Sequence, residues 1–116
     1  MSQQVGFDGE VRARAYLVAQ GLVWVASNYR ARCGEIDLIM REGRVLVFIE
    51  VRARSSKAFG GGAASVTYRK QQKVIRTALL YLQRNRLQDQ CVVRFDVVSL
   101  DGVPPEITWI RDAFGC

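Results

Sequence analysis

Two acidic residues, Asp37 and Glu50, sit inside strand-like runs that are largely apolar. The runs are Glu35 to Met40 and Arg44 to Arg54, separated by Arg41-Glu42-Gly43-Arg44, a tight-turn signal with a glycine able to take positive φ. With Glu42 and Gly43 as the loop residues, the hairpin sets Asp37 opposite Phe48 and Glu35 opposite Glu50. Alternation then puts Glu35, Asp37, Phe48, Glu50 and Arg52 on one face. Ile36, Leu38, Met40, Val45, Val47, Ile49 and Val51 form the other, apolar face. Asp37 and Glu50 become diagonal neighbours with Cβ atoms roughly 7 Å apart, so both carboxylates can reach one hard cation. Opposed like charges in core strands need neutralising, and Mg²⁺ or Mn²⁺ suits an all-oxygen donor set. On spacing alone the same residues better suit a solvated hairpin face on which Arg52 or Arg54 pairs the acids, and the metal reading stays open beside it.

Composition narrows the chemistry further. There is no histidine, which excludes Ser-His and Cys-His nucleophiles, histidine-metal nuclease motifs and imidazole-dependent zinc sites. Proton transfer must use carboxylate, Lys, Tyr, Cys or water on a metal. Cys33, Cys91 and Cys116 form no C-x-x-C pair, and reduced thiols in the cytoplasm are the expected state. The segment MSQQVGFDGE lacks the basic-then-apolar order of a signal peptide, and no apolar run approaches membrane-spanning length. Against 11 Asp+Glu stand 17 Lys+Arg, a net charge of +6. Most of the excess is arginine, which favours a polyanionic partner.

The elements that must hold the acids follow from periodicity. The 116 residues are expected to form one domain, residues 1–116. Gln4 to Gln20 reads as a helix, with Phe7, Val11, Ala15 and Val18 on one stripe, Glu10 and Arg14 on another face, and Gly21 as a stop. Leu22 to Tyr29 reads as a strand ahead of the hairpin. Gly60-Gly61-Gly62 marks a loop but not a P-loop, since no Gly-Lys-Ser/Thr follows. Ser65 can cap a helix running to about Arg84, with Val74, Ala78 and Leu82 on its apolar stripe and Ile75 and Leu79 beside it. Val92 to Leu100 and Ile107 to Ile110 complete the strands. The order α-β-β-β-α-β-β predicts an α/β fold, a central mixed β-sheet flanked by helices, with a parallel crossover from the third strand to the fourth.

Arg69, Lys70, Lys73 and Arg76, within two turns of the second helix, are candidates for phosphate contact or an ordinary solvated face. Trp24, Trp109 and Tyr81 are expected in the core, Tyr29 and Tyr68 are candidates for base stacking, and Asp96 for a polar pairing that supports the fold.

The sequence resembles the YraN family of small bacterial proteins, itself similar to the archaeal Holliday-junction resolvases of the restriction-endonuclease-like fold. The resemblance rests on Gly6, Glu10, Ala15, Leu17 and Gly21, then Asn28 and Arg30, then Gly34-Glu35-Ile36-Asp37-Leu38-Ile39. Phe48-Ile49-Glu50-Val51-Arg52, Arg54, Phe59-Gly60, Lys70, Lys73, Ala78, Arg94-Phe95-Asp96 and Ala113-Phe114 continue it. It implies a PD-(D/E)xK-type site with Asp37 and Glu50 as the motif acids and Glu10 as the extra acid from the first helix. Together these would ligate Mg²⁺ or Mn²⁺. Arg52 stands where the family usually has lysine. It keeps the charge but cannot act as a base and is bulkier, so phosphate binding is expected to survive and turnover to suffer. By this reasoning Arg52→Lys should raise cleavage. The resemblance implies a metal-dependent, structure-selective DNA endonuclease, and a dimer would suit a two-fold junction. The alternatives are a non-catalytic nucleic-acid-binding module on the same fold and a protein-interaction domain.

Overall fold

The computed structural model describes residues 2–54 and 66–115, with side chains described from residue 9 onward. The Gly60–Gly62 loop and the Ser65 cap lie outside the described residues. Within them, helix α1 (Ser2–Ala19) is followed by strands β1 (Val23–Ala31), β2 (Gly34–Glu42) and β3 (Val45–Arg54). Helix α2 (Tyr68–Arg84) and strands β4 (Val92–Asp101) and β5 (Glu106–Phe114) complete the order. The five strands form one mixed sheet in the order β1-β2-β3-β4-β5, antiparallel throughout except for the parallel β3–β4 pair. Each helix covers one face. Leu38, Met40, Val47, Ile49, Val98 and Leu100 pack with Ala13 and Leu17 of α1. On the other face Ile39, Leu46, Phe48, Phe95 and Val97 pack with Val74, Ala78, Tyr81 and Leu82 of α2.

Three expectations about packing are corrected. The α1 stripe containing Val11, Ala15 and Val18 points outward; Val11 and Val18 are each about half exposed. The inward stripe is Gly9, Ala13 and Leu17. Small residues there let the helix approach closely, since a Cβ on Gly9 would meet Ala53 Cβ at 3.2 Å. Leu79 of α2 is exposed, and its place in the core is taken by Thr77 and Tyr81. Trp24 is 40% exposed; Arg14 stacks over its ring at 3.9 Å and its Nε1 donates to Ser27 Oγ at 2.9 Å. Tyr81 is buried and Trp109 packs at the edge of the α1-side core, as expected.

The hairpin exists, with its register displaced. Glu42 pairs with Val45, so the loop residues are Gly43 and Arg44 rather than Glu42 and Gly43. Gly43 takes φ 60°, and Arg44 is not among the positive-φ residues. A II′ hairpin turn asks for this, with glycine first. The alternative loop would have placed Glu42 in a conformation costly for a residue with a Cβ. Helix α2 begins at Thr67, whose hydroxyl accepts from Lys70 N at 3.2 Å.

Candidate metal and phosphate site

The displaced register changes how the acids meet. The ladder pairs Leu38 with Ile49 and stops there; the next rung is Asp37 and Glu50, directly opposite rather than diagonal. At that rung side chains replace the backbone ladder. Asp37 N donates to Glu50 Oε2 at 3.4 Å, and Val51 N donates to Asp37 Oδ2 at 2.9 Å. Glu35 does not face Glu50; it lies across from Arg30 of β1, with an ion-pair distance of 3.7 Å.

The strand also changes face here. Ile36 packs on the α2 side whereas Leu38 packs on the α1 side, although simple alternation would group them. The break lies at Asp37, opposite Asn28, which takes φ 54° between the rungs Ser27–Leu38 and Tyr29–Ile36. Asparagine tolerates that left-handed conformation better than most residues. Its side chain also favours the charged form of the Glu10 carboxylate of α1.

Glu50 lies on the central strand and is 1% exposed. Burial foremost, then the charge of Asp37, pushes its carboxyl from an ordinary value near 4.5 up to about 7. Asp37 is also raised, chiefly by burial, against the opposing hydrogen bond from Val51 N. Glu10 is raised by burial, opposed first by Asn28, with Asp37 and Glu35 adding repulsion. Glu50 is thus taken out of water beside the half-buried carboxylate of Asp37, an arrangement that is costly unless a cation or proton compensates.

Cations approach from two elements. Lys70 Nζ lies 3.5 Å from Glu50 Oε1, an ion-pair distance too long for a good hydrogen bond. Consistently, Glu50 Oε1 is buried without a hydrogen-bond partner among the described residues. Arg52 lies two residues beyond Glu50 on β3, its charge felt by both acids, and its Nε is buried without an acceptor among the described residues. Arg54 beyond it pairs with Asp101 at 3.3 Å, and Ser99 donates to Asp101.

The candidate residues are therefore brought together unequally. Asp37, Glu50, Arg52 and Lys70 share one locus, with Glu10 beside it. Among the described residues no three acids or thiols are close enough together to ligate one ion. Arg69, Lys73 and Arg76 lie exposed on α2, away from the acids' immediate contacts. Lys70, read from the sequence with the solvent-facing basic residues, instead continues the inward stripe Val74, Thr77, Tyr81 by one turn; that spacing was the available signal. Asn28 carried a weaker signal, as a poor strand former inside a strand. Asp96 is fully buried. It accepts from Arg94 through both carboxylate oxygens, from Trp109 Nε1 and from Asp112 N, and so supports the β4–β5 pair. Tyr29 stacks edge-on to Tyr81 rather than standing free, while Tyr68 is exposed. Cys33 and Cys91 are free thiols. Among the described residues no helix is long and apolar enough to cross a membrane.

Comparison with known proteins gives the chain its relatives. The uncharacterised protein family UPF0102 matches over residues 9–100. A UPF0102 protein of Legionella pneumophila (strain Corby) is 52% identical over 118 residues, covering 100% of both chains. One from Alkalilimnicola ehrlichii is 50% identical, covering 96% of this chain and 86% of its own. The UPF0102 protein YraN of Escherichia coli O139:H28 is 53% identical, covering 97% of this chain and 86% of its own. With the family matched over most of the chain and these relatives aligned nearly end to end, this protein belongs to the uncharacterised UPF0102 family, the family of YraN.

Proposed function

We propose that this protein is a divalent-metal-dependent endonuclease acting on DNA, with a preference for branched structures. The observation that carries the reading is the Asp37–Glu50 rung: a buried carboxylate beside a half-buried one, the buried one with an oxygen that has no hydrogen-bond partner among the described residues, and two cationic side chains next to them. The donor set fits Mg²⁺ or Mn²⁺. Mg²⁺ commonly takes only one or two carboxylates and completes its shell with water and substrate phosphate, so a two-acid site with Glu10 nearby suffices. A cation bound there would supply charge for the phosphate and lower the pKa of an attacking water.

The chain's own residues do the rest. Asp37 and Glu50 hold the cation, and the hydrogen bond from Val51 N fixes the Asp37 carboxylate in its orientation. Glu10, whose carboxyl feels the charge of Asp37, adds negative charge beside the pair. Arg52 and Lys70 present positive charge to the substrate phosphate, and Arg69, Lys73 and Arg76 offer further backbone contacts along α2. In the reaction the water oxygen bonds to phosphorus and one P–O ester bond breaks. The electron pair leaves with the ester oxygen, which takes one of the water's protons; the other stays on the phosphomonoester.

The test is cleavage of branched and linear DNA with Mg²⁺ or Mn²⁺, comparing the wild type with Asp37→Asn and Glu50→Gln. Metal-dependent cleavage abolished in both variants is expected. Undiminished cleavage in either variant overturns the assignment of the site. A second reading, a non-catalytic nucleic-acid-binding module, is favoured by Arg52 at the lysine position of the resembled motif. It takes over if the wild type binds DNA and cleaves none.

A further inference from the structure

We infer that Lys70 of α2, rather than Arg52 of β3, is the catalytic cation that acts on the substrate phosphate and its attacking water; this rests on the nuclease reading above. The geometry is the first reason. Lys70 Nζ reaches Glu50 Oε1 from across the site at 3.5 Å, although the two residues lie on different elements. That distance marks a charge contact rather than a locked hydrogen bond, so the ammonium keeps donors for a second acceptor.

Placement is the second. Thr67 caps the helix through Lys70 N, and Lys70 begins the stripe that Val74, Thr77 and Tyr81 bury against the sheet. Its backbone is therefore fixed while its side chain stays 42% exposed, reachable by substrate where Glu50, at 1%, is not.

The third reason is that the helix itself gains nothing from this residue. Lys70 lies in the first turn of α2, which contains no acidic residue. The helix dipole disfavours a cation at that end, so the charge is explained by Glu50 and what lies beyond it.

Arg52 has the opposite character. Its Nε is buried with no acceptor among the described residues, and its planar, permanently charged fork suits gripping a phosphate more than sharing space with a water. A division of labour follows. Arg52 binds, while Lys70 donates to the entering water and to the phosphate oxygens as negative charge builds. No proton passes through Lys70 in this scheme, so the hydrolysis balances as written above.

The test uses the full chain with four variants, Lys70→Met, Lys70→Gln, Lys70→Arg and Arg52→Lys. The readouts are the single-turnover cleavage rate with saturating Mn²⁺, DNA affinity, and Mn²⁺ affinity of the free protein by calorimetry at pH 8. Lys70→Met and Lys70→Gln should fall roughly 100-fold or more in rate. Their DNA affinity should change by less than about threefold. Their Mn²⁺ affinity should equal or exceed that of the wild type, because Glu50 is freed of a competing cation. Lys70→Arg should recover part of the rate, whereas Arg52→Lys, which loses the planar fork that grips the phosphate, should weaken DNA affinity without raising the rate.

A rate kept in both neutral variants overturns the inference, as does a defect expressed wholly in DNA affinity. Abolished Mn²⁺ binding in both would make Lys70 a structural prop and overturn it too. A rise of about tenfold or more in Arg52→Lys would return the role to the strand position. A wild type inert before any substitution overturns the nuclease reading itself, and so is distinct from failure of Lys70 alone.

Discussion

Asp37 and Glu50 face each other across the β2–β3 hairpin at the first rung where backbone pairing fails, and each carboxylate takes a backbone N–H belonging to the other strand. The strands are thereby held together by the same side chains that would bind a cation. The two roles pull against each other. An oxygen used to hold the hairpin is partly withdrawn from a metal, while one with no hydrogen-bond partner, Glu50 Oε1, is available to it.

The first prediction concerns pH. The Glu50 carboxyl is raised to about 7 in the folded chain against an unfolded value near 4.3. The folded state therefore binds the proton more tightly. The associated stability is fully present below about pH 4 and disappears as pH rises through about 7. Between pH 5 and 8 the metal-free protein should be weakened by on the order of 2–3 kcal/mol through this group. Glu50→Gln should flatten that slope and be the more stable form at pH 8. Mg²⁺ at pH 8 should restore the wild type and leave Glu50→Gln unmoved. Urea unfolding at both pH values reads all three, and a wild type with flat stability over that window would contradict the burial argument.

A second prediction follows from the close approach of α1. Gly9 lies where a Cβ already meets Ala53 Cβ at 3.2 Å, so Gly9→Val forces the helix off the sheet. The expected cost is about 1–3 kcal/mol of overpacking. Because Glu10 is the next residue, Mn²⁺ affinity should fall as well. Equal stability and equal metal affinity in the variant would show that α1 is not seated by this contact.

Much of the fold is legible in the sequence, and the departures have identifiable causes. The hairpin and its apolar alternation are readable because Leu38, Met40, Val47 and Ile49 all face α1. The register is ambiguous because Gly43 fits either central position of a two-residue turn, and only the pairing of Glu42 with Val45 decides. The crossing of Ile36 to the α2 face is hidden, since it depends on Asn28 adopting positive φ on the neighbouring strand. On α1, the larger apolar side chains Val11 and Val18 suggest the wrong stripe, because the sheet selects the small residues Gly9 and Ala13 for close approach. Charge groups Lys70 with Arg69, Lys73 and Arg76, whereas its helical phase places it with Val74 and Thr77. The Asp37–Glu50 pairing is legible as a pair of acids among apolar neighbours; its directness is not, because it inherits the register.

Asp96 should behave as a structural acid. It is wholly buried and its carboxylate accepts from Arg94, Trp109 and the Asp112 backbone. Asp96→Ala would leave the Arg94 guanidinium facing a cavity with only Glu42 as partner. Breaking such a buried pair costs about 3–5 kcal/mol, enough to lower the melting temperature by more than roughly 10 °C in a domain of this size. Mn²⁺ affinity of the folded variant should be unchanged. A shift of less than about 2 °C would mean the network carries little of the β4–β5 stability.

The last prediction locates the nucleic-acid surface. Arg69, Lys73 and Arg76 are exposed on α2, and Gly34 packs against Lys73, its Cβ position 3.5 Å from the Lys73 Cβ and carbonyl oxygen. Cys33 Sγ lies 3.5 Å from Thr77 Oγ1. The β1–β2 turn is therefore seated on the first half of α2, which brings the exposed Arg32 to the same rim as Lys73. A phosphate backbone lying along α2 would meet both. Removing one side chain that neutralises a phosphate should flatten the dependence of log affinity on log salt by about 0.9 for duplex DNA. Replacing Arg69, Lys73 and Arg76 by alanine should reduce the slope by roughly 2–3, and Arg32→Ala by about 1 more. Lys70→Ala should change it little, because Glu50 already engages that ammonium. Affinity measured across a salt series on one duplex gives all three slopes. If Arg32→Ala leaves the slope unchanged while the α2 variant lowers it, the DNA path runs along the helix without reaching the turn. If the α2 variant matches the wild type, this face is an ordinary solvated surface and DNA binds elsewhere on the protein.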